Sequence, residues 1–220
     1  MAFDTSGPYC AAAVSRAGEV TGTCEEPMQR GQAEHLIPVL EGLLAKQGLT
    51  WQRLDAIGVG IGPGNFTGIR ISVGAARGLA LGLGIPAIPI SMFDVLVAES
   101  EQTGKGSLLA SVAAPRGQAY VQAFDHGMPV GKPFLIDPAN PIGLAEVAEA
   151  DRVYGYRATE IARMLGIAGT EGEPRNIAAR MGWLSATKLQ SRDFGGKPAP
   201  LYVKPADAEP PAQAGPKILI

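Results

Sequence analysis

A chain of 220 residues with 46% apolar side chains can bury a substantial core, which excludes a disordered tail or a peptide-sized module. Its net charge of −2 excludes a global basic field, so any contact with nucleic acid must use a local patch or a partner. No apolar run reaches membrane-span length and no leader precedes Asp4, so no membrane association is expected and the expected compartment is cytoplasmic; Cys10 and Cys24 stay thiols there, although cross-strand proximity allows a disulfide on oxidation.

A clipped strand at Ala2-Phe3 is followed by apolar segments at Tyr9–Val14 and near Val20, flanking an Ala17-Gly18 hairpin turn that puts both cysteines on neighbouring strands. From Gln32 to Lys46, the residues Leu36, Val39, Leu40, Leu43 and Leu44 recur at helical spacing. Ala56–Ile61 reads as a buried strand, Gly68–Leu83 as a helix and Ile85–Ile90 as another buried strand. Such alternation implies parallel pairing in an α/β domain. A helix at Ser91–Glu99 leads to a polar break at Gly104-Lys105-Gly106. Beyond it, Leu108–Ala113, Ala119–Phe124 and Val130–Ile136 read as strands, the first two joined around Arg116-Gly117. Helices at Ile142–Ala150 and Ala158–Leu165 enclose a strand at Val153-Tyr154, and a longer helix from Arg175 to Leu189 has Pro174 at its first turn. Pro198, Pro200, Pro205, Pro210, Pro211 and Pro216 mark an extended, partly mobile tail. The expected division is 1–104, 105–195 and 196–220, the first two being lobes that each begin with hairpin strands and end with helices.

The most distinctive stretch is Gly58-Val59-Gly60-Ile61-Gly62-Pro63-Gly64-Asn65-Phe66-Thr67-Gly68-Ile69-Arg70, followed by Gly74, Gly78 and Gly82 at four-residue spacing. The loop is either an anion cradle helped by Arg70 or a tight strand-to-helix connector. It matches neither a Walker pattern nor GxGxxG. Three glycines on one helix face cost roughly 1 kcal/mol each relative to alanine. Close approach of another helix is the offsetting gain, whether inside the chain or across a subunit interface.

The run from Gly62 to Arg70, with Ala76-Arg77-Gly78-Leu79-Ala80-Leu81-Gly82-Leu83-Gly84-Ile85-Pro86, resembles the TsaB family, accessory subunits in making N6-threonylcarbamoyladenosine in tRNA. Fainter similarity lies at Asp4-Thr5-Ser6, Ala33-Glu34-His35-Leu36-Ile37-Pro38, Arg116-Gly117-Gln118-Ala119-Tyr120 and Pro200-Leu201-Tyr202-Val203-Lys204. The resemblance implies an actin/Hsp70/sugar-kinase-like fold of two related α/β lobes. It also implies pairing with a TsaD-type catalytic subunit, recruitment of a TsaE-type ATPase, contact with tRNA through the complex, and a homodimer when the chain is alone.

Active members of that fold group hold ATP between acidic loops of the two lobes. By resemblance, Asp4, Thr5 and Ser6 form the first loop and bind ATP or ADP weakly. The second carries Ala113 where relatives have a carboxylate, which weakens any Mg²⁺ site. Asp4 equally suits a structural turn that accepts backbone hydrogen bonds. TsaD-like relatives hold a metal through His-x-x-x-His, whereas His35 has Val39 four residues on and His126 falls in a turn. Neither catalysis by this chain alone, nor a bound metal, nor a peptidase is therefore expected. Asp94 reads as part of a capping box with Ser91, and Glu34 and Glu41 as solvated charges. The resulting expectation is a non-catalytic partner subunit whose interface combines Leu36, Val39, Leu40 and Leu43 with Gly74, Gly78 and Gly82. The rival is a stand-alone ATP-binding kinase or ATPase.

Overall fold

The computed structural model describes residues 1–100, 106–139, 150–192 and 194–203. The first half contains β1 (Ala2–Asp4), β2 (Tyr9–Arg16), β3 (Glu19–Pro27), α1 (Gln32–Lys46), β4 (Ile57–Gly60), α2 (Phe66–Leu83), β5 (Ala87–Ile90) and α3 (Met92–Glu99). The second contains β6 (Ser107–Ala113), β7 (Ala119–Asp125), β8 (Met128–Ile136), β9 (Arg152–Gly155), α4 (Ala158–Leu165), β10 (Ala168–Glu171) and α5 (Ile177–Gln190). The expected lobe boundary, most of the expected helix from Ile142, and the tail from 204 onward lie outside the described residues.

One topology occurs twice. The first sheet has the order β3-β2-β1-β4-β5, and the second, read from its other edge, β8-β7-β6-β9-β10. In each, three meandering strands pair antiparallel and the next two pair parallel to the first. Alternation along β2 splits its residues between two cores. Cys10, Ala12 and Val14 face α1 and α2, while Ala11 and Ala13 face a middle layer. That middle layer combines Phe93, Val95 and Leu96 of α3 with Ile177, Ala178 and Met181 of α5, and it also receives Leu108, Ala110 and Val112 of β6. Beyond the second sheet, α4 covers Leu109, Val121 and Val153. The layers therefore run α1/α2, first sheet, α3/α5, second sheet, α4. This is the two-lobed actin-like α/β fold.

Local chemistry sets the helix ends. The Asn65 side chain accepts from Gly68 N at 2.9 Å and starts α2 two residues earlier than expected, and Gly84, at φ 69°, ends it. Ser91 and Asp94 form the expected capping box at 3.0 and 2.8 Å. The longest expected helix of the second half needs correcting at its head: α5 starts at Ile177 behind Asn176, so Pro174 stands outside its first turn. β10 was not expected at all. The stretch from Gly195 to Leu201 runs along the open edge of the first sheet, with Gly195 against Pro89 and Leu201 N donating to Ile61 O at 2.9 Å. Cys10 and Cys24 are free thiols on neighbouring strands, Cys10 opposite Glu26 and Cys24 opposite Ala12. Among the described residues no helix is long and apolar enough to cross a membrane.

Candidate functional site: an open two-helix face beside a closed loop

The segment Asp4-Thr5-Ser6 links β1 to β2, and all three residues are buried. Its contacts run to the head of α2. Thr5 Oγ1 donates to Gly68 O at 2.7 Å, and Asn65 N donates to Ser6 O at 2.7 Å. Gly64 and Gly68 must be glycine for this approach, since a Cβ on either would strike the carbonyl oxygen of Ser6 or Thr5. The glycine loop is accordingly a tight connector. Two of its amides are spent inside the fold, Asn65 N on Ser6 O and Gly68 N on the Asn65 side chain.

Asp4 itself is fully buried. Its Oδ2 accepts from Ser6 Oγ at 2.8 Å and from Tyr9 OH at 2.9 Å, while Oδ1 has no hydrogen-bond partner. Burial pushes its carboxyl above the ordinary carboxylate range, against the opposing pull of the Ser6 and Tyr9 hydroxyls. Burial, and then the adjoining Asp4 charge, likewise push the Tyr9 phenol far up, so it stays a protonated donor. The matching turn of the second lobe carries exposed Ala113, and no acid replaces it between Ala113 and Gln118.

The other expected residues part company. Leu36, Val39, Leu40 and Leu43 do not form a partner surface: they are buried in the chain's own first core, where α1 packs on β2. Helical apolar periodicity marked the side of α1 that meets its own sheet. Gly74, Gly78 and Gly82 do lie at the surface, and a Cβ on any of them would meet nothing within 4 Å. Beside them Leu81 is 86% exposed. The open side of neighbouring α1 carries Ile37, Pro38 and Gly42. Exposed charges on the two helices are Glu34, Glu41 and Lys46 on α1, net acidic, and Arg70 and Arg77 on α2. An apolar groove of about 690 Å³ between Leu81, Ile85, Pro86, Phe194 and Pro198 extends this face past the end of α2.

Arg70 is not free to serve an anion at the glycine loop. Its guanidinium lies 3.7 Å from the centre of the Phe66 ring and its Nε donates to Tyr202 OH at 2.8 Å, with the Phe66 and Tyr202 rings stacked at 5.1 Å. Asp94 is engaged in its cap and, at 3.4 Å, with Lys188. His35 is exposed on α1, and among the described residues no three His, Cys, Asp or Glu side chains converge. Sequence reasoning overlooked Tyr9, whose spacing of five from Asp4 matches no motif.

Residues 17–181 match the family model described as TsaD: tRNA N6-adenosine threonylcarbamoyltransferase. Among curated proteins, the chain is 36% identical over 121 residues to the tRNA threonylcarbamoyladenosine biosynthesis protein TsaB of Haemophilus influenzae, covering 54% of this chain and 51% of that protein. It is 31% identical over 121 residues to the protein of the same name from Escherichia coli, covering 54% and 52%. The chain thus spans about half the length of the curated relatives it matches. Among solved structures, an uncharacterized protein with similarity to peptidase YeaZ, from Pseudomonas aeruginosa, superposes with a TM-score of 0.70 at 24% identity over 92% of this chain and 98% of that one, a likeness of fold.

Proposed function

The chain belongs to the family described as TsaD: tRNA N6-adenosine threonylcarbamoyltransferase, and from that premise we propose that it is a TsaB-type, non-catalytic subunit pairing with a TsaD-type catalytic chain. The observation that carries the reading is the open face of α1 and α2. Three glycines of α2 stand in empty space beside a leucine exposed over 86% of its surface, and an internal neighbour that would account for them is absent among the described residues. A facing helix can approach such a surface closely, and the acidic α1 and basic α2 suit a partner that presents the opposite order. A second copy turned about a two-fold axis does so as well, so the chain alone forms a homodimer through this face. A TsaE-type ATPase joins the pair in the cytoplasm, and tRNA is met through the complex. Nucleotide affinity of the chain itself is weak, in keeping with Ala113 in the second loop.

The test is co-expression with a TsaD-type subunit, sizing of the product, and transferase assays of each chain and of the pair. The lone chain should show neither transferase nor ATPase activity. Gly78→Leu should melt near wild type, because nothing inside the chain occupies that space. It should also weaken both the pair and the homodimer by about tenfold or more, since overpacking a close contact costs roughly 1–3 kcal/mol. Undiminished pairing by a folded Gly78→Leu variant would remove the face from the interface. ATP turnover by the lone chain that Asp4→Ala abolishes would favour a stand-alone enzyme instead.

A further inference from the structure

Asp4, Tyr9 and Gly60 point to the same side of the first sheet. Asp4 follows Ala2 by two residues on β1, and Tyr9 precedes Ala11 by two on β2, and both alanines belong to the middle core between the sheets. Gly60 follows Gly58, which abuts Ser185 of α5 in that layer. The fold group holds nucleotide between acidic loops of its two lobes, and this is the first of them, so its geometry decides whether it fits phosphate and magnesium.

It does not fit. Magnesium needs reachable oxygen ligands, and both Asp4 oxygens are closed off. Oδ2 is taken by the hydroxyls of Ser6 and Tyr9 at 2.8 and 2.9 Å, and Oδ1 lies so near Gly60 that a Cβ there would overlap it. The Tyr9 ring also folds back over Gly7, leaving no room for even a Cβ on that residue, and the open cavity of about 630 Å³ that Ser6, Gly7 and Pro8 line with the head of α2 reaches neither Asp4 nor Tyr9.

We infer that Tyr9 is a plug: its ring fills the turn over Gly7 and its hydroxyl holds Asp4, so the first loop is closed to magnesium and nucleotide and ties β1 and β2 together. The inference rests on, and sharpens, the reading of the chain as a non-catalytic subunit. Ala113 alone would leave a half-equipped site with an available Asp4, whereas Tyr9 makes that half unreachable as well.

The experiment is calorimetric titration of the full chain, without partner, with MgATP, MgADP and Mg²⁺ alone, paired with the nucleotide-dependent rise in Tm. Tyr9→Val removes ring and hydroxyl while keeping a strand-forming residue at the start of β2. It should bind MgATP or MgADP about tenfold or more tightly than wild type, and Tyr9→Val combined with Asp4→Asn should lose the gain. Tyr9→Phe, which keeps the ring, should bind as weakly as wild type. A folded Tyr9→Val that binds no better than wild type overturns the plug. So does a Tyr9→Phe that gains as much as Tyr9→Val, or a wild-type chain that already binds MgADP as tightly as Tyr9→Val. Should Tyr9→Val lack a cooperative melt, Tyr9→Ser is read by the same outcomes. Pairing with the TsaD-type subunit, measured on the same preparations, reports separately on the proposed function. Lost pairing by wild type sinks that reading whatever the titrations give.

Discussion

The turn between β1 and β2 and the turn between β6 and β7 hold the same place in the repeated topology, and each abuts the head of the helix that follows its lobe's fourth strand. In the first lobe each tie has a buried partner: Thr5 Oγ1 donates to Gly68 O, Asn65 N to the carbonyl of buried Ser6, and Tyr9 OH to buried Asp4. In the second, the tie at the turn is an exposed one. Arg157, just ahead of α4, donates to Gly117 O at 2.7 Å while pairing with Glu160. The deeper contact there lies a few residues back, where Tyr156 N donates to Ser111 O and Ser111 Oγ to Tyr156 O. The same architecture is thus anchored through a loop in one lobe and through a strand in the other. The difference coincides with what each helix presents. α2, held from beneath, carries the open glycine face, and α4 carries none.

The sharpest way to break this comparison is to add one methyl at each close approach. A Cβ on Gly68 would strike the Thr5 carbonyl, and one on Gly155, at φ 126°, would strike the Ser111 carbonyl. Both obstacles are backbone, which yields only by moving strands, so Gly68→Ala and Gly155→Ala should each destabilise by about 3 kcal/mol or more in denaturant titrations. Gly74→Ala is the control. With nothing within 4 Å of its Cβ it should stabilise α2 by roughly 1 kcal/mol. A Gly68→Ala variant as stable as wild type would mean that the loop and the head of α2 are not welded.

A pH series separates the lobes next, because only the first turn buries an acid. Burial raises the Asp4 carboxyl in the folded state above its unfolded value. Stability contributed by such a group is fully present below the unfolded value, near about 4, and is lost as pH rises through the raised folded value. Relative to wild type, Asp4→Asn should therefore gain stability as pH rises from about 4 to 8, whatever the offset from its new amide. The matching position of the second lobe is Ala113, so no such slope arises there. A constant gap between Asp4→Asn and wild type over that range would show that Asp4 is not held in an environment hostile to its charge.

The repeated lobe order, the hairpins, the parallel strands and the capping box of α3 were legible because each leaves a periodic or positional mark on the chain. β10 left none. As an edge strand, Ala168-Gly169-Thr170-Glu171 is exposed at three of its four residues and has no apolar row to display. The leucines of α1 were visible and misassigned, since spacing reveals that a helix has a buried side but not whether its own sheet or another molecule covers it. The glycines of α2 were informative for the converse reason. Their cost to the helix is written in the sequence, and only coordinates show that no neighbour inside the chain accounts for it among the described residues. Tyr9 was illegible because its role depends on a ring folding back across a turn.

The smallest expected effect compares the two helix-head ties directly. Thr5→Val keeps the shape of a fully buried side chain and deletes the Thr5 donor to Gly68 O, a carbonyl inside α2 that also accepts from Ser72 Oγ at 3.3 Å. A net loss of about 1 kcal/mol follows, or roughly 2–4 °C in Tm for a chain of this size. Arg157→Ala deletes the tie of the second lobe. Arg157 has φ 50° and alanine is no better suited to that conformation, so backbone strain is unchanged and only the side-chain bonds are lost. The bond to Gly117 O is solvent-exposed and the pair with Glu160 only part-buried, and an ion pair that solvent still reaches is weak and screened. Arg157→Ala should therefore lower Tm by less than Thr5→Val, and the shift should shrink further in high salt, while the Thr5→Val shift stays constant. An Arg157→Ala variant that loses more than Thr5→Val, independently of salt, would reverse the comparison and make the second lobe's turn the tighter of the two.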